Sequence, residues 1–493
     1  MRLRSYDTRV GAAAAFVVPL AAFLIAAHPG VDFWDSGEMQ TVPYILGIAH
    51  PTGFPTFTLL GWLFAHAFPL GNVAWRMTVL CALGMALACF LLYRTARELA
   101  ADPASAAGAA LVFAFGTIVW THATRTEVHA IATAFAALLF WLAVRWWRTP
   151  DGRVLCIAGL VAGVATANHT VAILLLPGLL ALLVARARSI RPGDLVLAVA
   201  LYALGVSLYA YLPIRSAIVF KENRDPSLAL GLPPGRPFWD NDHPSTIQGF
   251  RTEVSGSEFA PGSSLGAILK PQTYAKMPTD YFPRVAEEFG PVALVIAVGG
   301  AIALAASEPV LALALAAAGF LSVPFALGFG AESDTERYFL PSLWIIALFI
   351  AVGTSRMVGM VDVRYPLARR FGGIGVLGLL AVVLAHANRG IIDQRYDDSA
   401  SRFIDEIRKR TPSNAIVVAS WNYATPLAYG SFVEHSLGGR ILVTGWPTDY
   451  ESSYFRWLRE RPIFVVSNVP FELKGFVTRT LPHTSETIVQ VVR

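Results

Sequence analysis

The chain has 493 residues, of which 55% are hydrophobic and only 15% charged, with a mean hydropathy of +0.53. Those values exclude a soluble globular protein. The net charge of +5 comes from arginines lying beside apolar segments, a pattern of membrane topology rather than of nucleic-acid binding. The three cysteines, Cys81, Cys89 and Cys156, lie inside apolar segments and suggest neither a disulfide framework nor a metal site.

Apolar stretches near 10–27, 75–93, 104–121, 128–146, 154–170, 171–185, 193–213, 290–306, 309–328, 338–355 and 372–388 predict about eleven transmembrane helices. No small-residue cleavage site follows the first, which reads as a retained helix. Arg2, Arg4 and Arg9 precede it, and Arg94 and Arg97 follow the second. Arg145, Arg148 and Arg153 separate the fourth from the fifth, Arg186, Arg188 and Arg191 follow the sixth, and Arg356, Arg364, Arg369 and Arg370 follow the tenth. All of these fall on one face of the membrane if the N-terminus is cytoplasmic. The opposite, extracytoplasmic face then receives the first loop (28–74), the THATRTEVHA turn, Asn168-His169-Thr170, the long loop 214–289, GAESDTERYF and everything after about residue 389. Nearly every acid or histidine close to a membrane end lies on that face. Their convergence from distant loops suggests one common site.

The long loop contains Pro226, Pro233, Pro234, Pro237 and Pro244 and then a regular stretch, STIQGFRTEVSGSEF. Residues 390–493 change character. A helix at 401–410, strands at NAIVVAS, RILVTGW and PIFVVSN, and a helix at SYFRWLRER read as a small extracytoplasmic α/β domain. The fold class is therefore a polytopic α-helical membrane protein with a small C-terminal α/β domain. The domains are expected at 1–389 and 390–493. No nucleophile elbow, Gly-rich phosphate loop, HExxH or CxxC is present in a suitable context, and no internal repeat.

Four groups of residues could carry chemistry. Asp35 and Glu38, in VDFWDSGEMQ, share one face of a helical turn and are candidates for a general base or a metal ligand. His50-Pro51-Thr52-Gly53-Phe54-Pro55 then interrupts any long helix. The alternative reading of this stretch is an interfacial loop whose acids face water. Glu127 and His129 are two residues apart, so a helix would place them on different faces. A satisfied helix-end histidine is the competing reading for His129. Asn168-His169 breaks an apolar stretch as either a site or a tight turn. Arg215 and Arg337 stand at outer helix ends, where a guanidinium fork suits a phosphate. A salt bridge of Arg337 to Asp334 or Glu336 is the local alternative.

The run FWDSGEMQ…GIAHPTGFPTFTLLG resembles the first-loop signature of a family of multipass proteins formerly known only as a domain of unknown function. Its eukaryotic member is the protein O-mannosyltransferase of plexin-type receptors. The family elements D-S-G-E and H-P-x-G-x-P are here Asp35-Ser36-Gly37-Glu38 and His50-Pro51-Thr52-Gly53-Phe54-Pro55. Glu127, Asn168-His169-Thr170, Leu212-Pro213-Ile214-Arg215 and Asp334-Thr335-Glu336-Arg337-Tyr338 match in order, over most of residues 10–345. The resemblance implies a bacterial GT-C-type glycosyltransferase of the cell membrane, taking a hexose such as mannose from a polyprenyl-phosphate carrier to a protein, glycan or lipid hydroxyl. It implies Asp35 as base, Glu38 as support, and His50, Glu127, His129, Asn168, His169, Arg215, Asp334, Arg337 and Tyr338 as substrate-binding residues. Members differ on metal use. With no DxD in the first loop, a metal-independent base is expected, and a divalent metal is the alternative cofactor. The competing function is a transporter or flippase of lipid-linked saccharide, against which stands the absence of repeated halves. A non-catalytic scaffold is a third reading.

Overall fold

The computed structural model describes residues 2–257, 265–328, 334–361, 364–467, 469–482, 484 and 486–492. Residues 258–264 of the long loop and 330–333 of GAESDTERYF lie outside these. The chain separates into two compact units. One comprises Met1–Ala27, Cys81–Leu208 and Glu258–Asp393, and the other His28–Leu80, Tyr209–Ser257 and Gln394–Arg493.

The first unit is helical. Among the described residues of the whole chain, eight helices are long and apolar enough to cross a membrane, or nine if one bent pair is a single span. This is an integral membrane protein. The expected stretches 154–170 and 171–185 are apolar helices too, Gly152–Asn168 and Thr170–Ala185, but both fall short of the eight in length. The stretch expected as one span at 104–121 is instead Pro103–Ala114 and Thr117–Thr124, bent by 69°. Gly116 caps the second piece, and the buried Glu288 carboxylate accepts from Ile118 N at 2.9 Å and Val119 N at 3.1 Å. A side chain at Gly116 would lie 2.1 Å from Glu288 Oε1. The break is thus sealed by a remote acid, as an irregular backbone within a membrane protein requires. Glycines also set close helix crossings: a Cβ at Gly163 would meet the Tyr202 carbonyl at 2.2 Å, and one at Gly300 the Phe349 carbonyl at 2.0 Å.

The second unit contains a five-stranded sheet. Strands β1 (Ile416–Ala419), β2 (Ile441–Thr444), β3 (Ile463–Val466), β4 (Val477–Thr480) and β5 (Ile488–Val492) lie in the order β2-β1-β3-β5-β4. β2, β1 and β3 are parallel, with Ile416 beside Ile441 and Ile463, and β5 and β4 are antiparallel additions. β1 and β3 are buried at every residue, as parallel strands covered on both faces must be. The helix Ser399–Arg410 buries Ala400, Phe403, Ile404 and Ile407, one stripe at helical spacing. Helix Trp421–Phe432, absent from the sequence reading, leaves the end of β1. The regular stretch of the long loop is the helix Ile247–Ser255, and SYFRWLRER is helical only within Glu451–Trp457.

Candidate functional site

In the second unit the D-S-G-E element opens the helix Trp34–Ile45. Gln40 secures its approach, accepting from Asp32 N at 2.9 Å and donating to the Gly30 carbonyl at 3.1 Å. The helix stops at Leu46, whose φ of 51° is left-handed, while Gly47 N donates to the Val42 carbonyl at 2.9 Å. Arg215 closes this end by donating through Nη2 to the Ile45 carbonyl at 3.1 Å and through Nε to the Leu46 carbonyl. Those two donors of Arg215 therefore serve a helix terminus. The H-P-x-G-x-P element follows as a turn in which Gly53 N donates to the His50 carbonyl at 2.9 Å. Gly53 has a φ of 75°, and a Cβ there would stand 2.9 Å from both Glu253 Oε1 and Leu212.

The two acids on the helical turn meet different surroundings. Glu38 is fully buried. It accepts from His50 N at 2.8 Å, and its second oxygen pairs with His50 Nδ1. The two motifs are thereby joined through one carboxylate and one histidine. Asp35 is only half-buried. Its Oδ1 accepts from the indole Nε1 of Trp421 at 3.0 Å. The Trp421 ring stacks on Phe238 at 5.7 Å and 7°, and His50 stands edge-on to it at 5.9 Å. Between the acids, Gly37 lets the helix approach Trp421–Phe432. A Cβ at that position would lie 2.4 Å from the Asp32 carbonyl and 3.1 Å from Thr425.

The helical unit holds a second polar cluster. Arg125 Nε lies 3.0 Å from Glu127 Oε1, and Arg125 Nη2 lies 2.9 Å from Asp334 Oδ2. His122 lies 3.3 Å from Glu127 and 3.8 Å from Asp334. Arg337 Nη1 is 3.8 Å from Asp334 Oδ2, so the closest guanidinium partner of Asp334 is Arg125. Burial pushes the Glu127 carboxyl up, but Arg125 and His122 outweigh it and hold the group well below the usual carboxylate range. His129 is not paired with Glu127. Its ring packs against His169 and Tyr338, each at 5.0 Å. Asn168 is fully buried and donates to the Val128 carbonyl at 3.4 Å, and its Oδ1 has no hydrogen-bond partner among the described residues. His169 Nδ1 accepts from Val171 N at 3.2 Å, so it also caps a turn.

Among the described residues, no group of three or more His, Cys, Asp or Glu is arranged to hold a metal ion.

Residues 35–191 match the family described as Protein O-mannosyl-transferase TMEM260 N-terminal domain. The chain is 29% identical to the mouse protein O-mannosyl-transferase TMEM260 over 283 residues, covering 53% of this chain and 37% of the mouse protein. It is 28% identical to the Dictyostelium discoideum counterpart over 135 residues, 27% of this chain and 16% of that protein. Among solved structures, apo ArnT from Cupriavidus metallidurans aligns with a TM-score of 0.60 at 12% identity, covering 98% of this chain and 97% of ArnT. The same protein bound to undecaprenyl phosphate aligns at 0.56, with 11% identity and 97% of each chain covered. The apo Archaeoglobus fulgidus oligosaccharyltransferase aligns at 0.52 with 12% identity, covering 92% of this chain and 69% of its own. The chain is thus similar to the TMEM260 family over residues 35–191, and it shares its fold with ArnT and the oligosaccharyltransferase.

The family match begins at Asp35 and takes in Glu38, His50, Glu127, His129, Asn168 and His169. Arg215, Asp334, Arg337 and Tyr338 lie beyond it. The sequence reading missed four contributors: Trp421, Phe238, His122 and Arg125. Only His122 and Arg125 carried a signal, since both lie in the THATRTEVHA turn already singled out for Glu127 and His129. Because Glu127 is held low by its partners, its contribution to stability is present above the unfolded value of about 4.3 and is lost as pH falls through the folded one. Glu127→Gln should destabilise the protein at pH 7 by about 3 kcal/mol, the cost of breaking a buried pair. The gap to wild type should narrow on acidification, as read from thermal unfolding in detergent at pH 7 and near pH 3.

Proposed function

We propose that the chain is an integral membrane glycosyltransferase that moves one hexose, mannose first among the candidates, from a polyprenyl-phosphate donor to a hydroxyl acceptor on the extracytoplasmic face. The names of the family relatives support mannosyl transfer, and the undecaprenyl phosphate bound by ArnT supports a lipid-phosphate donor. The observation that carries the reading is the inequality of the two acids. Glu38 is sealed against His50, whereas Asp35 is half-buried and oriented. Asp35 takes the proton of the acceptor hydroxyl while that oxygen attacks the anomeric carbon. The bond from this carbon to the phosphate oxygen breaks, and polyprenyl phosphate leaves with the electron pair. Glu38 and His50 keep the base in place. For the donor phosphate the reading assigns Arg337, whose fork can donate two parallel hydrogen bonds. Asp334, Tyr338 and Glu127 lie near it, His129 and His169 pack on Tyr338, and Asn168 is assigned with them to donor binding. Arg215, engaged on the Ile45 and Leu46 carbonyls, is the weaker phosphate candidate.

The reading is tested with the purified full chain, radiolabelled undecaprenyl-phosphate mannose or its glucose counterpart, and a pool of serine- and threonine-containing peptides. Transfer from neither donor, with no release of polyprenyl phosphate, defeats it. Asp35→Asn should reduce turnover by about 10²–10⁴-fold with donor affinity retained, the contribution of a positioned base. Glu38→Gln should lower the melting temperature as well as the rate. Wild-type turnover in Asp35→Asn would remove the base assignment.

Arg337→Ala should weaken donor binding roughly 10- to 150-fold, the equivalent of about 1.5–3 kcal/mol for a charge-assisted hydrogen bond, and Arg337→Lys should restore only part of it. Unchanged donor affinity would leave Arg337 as a structural partner of Asp334. For sidedness, cysteines placed at the exposed Ser255 and Ser413 should react with an impermeant thiol reagent in intact cells, while one at the exposed Ser189 should not. The reverse pattern would put the proposed site in the cytoplasm.

A further inference from the structure

Among the contacts of the C-terminal α/β region with the acid loop, one reaches the carboxylate of Asp35. Ser420 ends the path out of β1, and Trp421 is the first residue of the helix Trp421–Phe432. Its indole N–H points at Asp35 Oδ1 across 386 positions of sequence, at 3.0 Å. Two ring contacts hold the indole in that pose, and one close backbone approach holds the helix that carries Asp35. Phe238 lies parallel to it at 5.7 Å, His50 meets it edge-on at 5.9 Å, and the backbone approach at Gly37 leaves no room for the helix carrying Asp35 to slide past Thr425. His50 is in turn held by Glu38.

We propose that Trp421 is a positioning residue for glycosyl transfer, aiming the Asp35 carboxylate by a hydrogen bond from the indole N–H, so that the C-terminal α/β region completes the catalytic site. The inference rests on the reading of Asp35 as base. A carboxylate on a short side chain rotates about two bonds, and only some of its orientations place an oxygen towards a hydroxyl at attack distance. A donor on Oδ1, itself immobilised by stacking, removes most of that freedom before substrate arrives. It also contributes a charge-assisted bond to the ionised form that accepts the proton. The indole is suited to this task because it is a donor only and cannot compete for the acceptor's proton. Trp421 touches neither donor nor acceptor in this scheme, so its loss falls on turnover rather than on binding.

The test uses the full chain with radiolabelled undecaprenyl-phosphate mannose and the peptide pool. Trp421→Phe keeps the stack on Phe238 and removes only the N–H. It should lower kcat about 10- to 100-fold, the worth of one charge-assisted hydrogen bond, while donor KM stays within about twofold. Trp421→His, which restores a ring N–H, should recover part of kcat. In an Asp35→Asn background Trp421→Phe should cost nothing further, because the two act as one unit. A kcat within twofold of wild type in Trp421→Phe, with Asp35→Asn inactive, overturns the positioning role and leaves the base reading intact. A full-sized loss from Trp421→Phe in the Asp35→Asn background also overturns it. So does a fall in melting temperature that Trp421→His shares without recovering kcat. Wild-type turnover in Asp35→Asn removes the base and this inference with it.

Discussion

A carboxylate without access to water costs several kcal/mol unless a partner neutralises it and hydrogen bonds occupy its lone pairs. Glu38 is in that position, and His50 supplies both a backbone N–H and a ring nitrogen to it. The requirement works in both directions. The D-S-G-E helix cannot turn about its axis without stranding Glu38, and the H-P-x-G-x-P turn cannot unwind without releasing His50. Everything that orients Asp35 is anchored to this pair: the helix that carries it, the His50 ring against Trp421, and the turn where Gly53 admits Glu253. A water-facing loop acid would need none of this apparatus. The reading of the stretch as a simple interfacial loop therefore gives way to one in which a closed acid supports an open one.

Gly37 gives the motif its spacing a physical meaning. Asp35 and Glu38 must lie on one helical turn so that one acid faces the indole while the other faces the histidine. The residue between them then has to meet another helix. Thr425 approaches so closely that any Cβ would collide with its backbone or with the Asp32 carbonyl. The glycine thus costs about 1 kcal/mol of helix propensity relative to alanine, and permits the contact that brings Trp421 to hydrogen-bonding distance.

Much of this arrangement was legible in the chain. Apolar run length located the helices, and β-branched runs located β1, β2 and β3, since burial on both faces leaves a continuous apolar signature in β1 and β3 and the edge strand β2 alternates. β4 escaped since Val477–Thr480 is exposed throughout and carries no alternation. The helix Trp421–Phe432 escaped because Pro426 lies inside it, where proline ordinarily argues against a helix. Asp35, Glu38 and His50 were legible as a local motif. Their partners were not, because a hydrogen bond between residues 386 apart leaves no trace in local pattern or periodicity. Arg215 shows the same limit: its place at a helix end was legible, but not that its Nε and Nη2 serve the Leu46 and Ile45 carbonyls at the end of another helix.

The helical unit solves a different problem with the same physics. A helix broken by 69° exposes main-chain N–H groups that lipid cannot satisfy, and Glu288 takes two of them. The half-helix Thr117–Thr124 is then short enough that its far end delivers His122, Arg125 and Glu127 together, while Asp334 and Arg337 come from one turn elsewhere. Arg125 spans both acids, Glu127 and Asp334, so the cluster is cross-linked by a residue from outside the turn that carries Asp334 and Arg337. The carboxylates of Glu127 and Asp334 are thus matched by the guanidinium groups of Arg125 and Arg337. A phosphate that draws Arg337 towards itself would leave Asp334 with its closer partner, Arg125, still in place at 2.9 Å. Of the two guanidinium contacts to Asp334, that of Arg125 is the closer, so withdrawal of Arg337 leaves Asp334 paired, whereas withdrawal of Arg125 removes the closer partner of both acids.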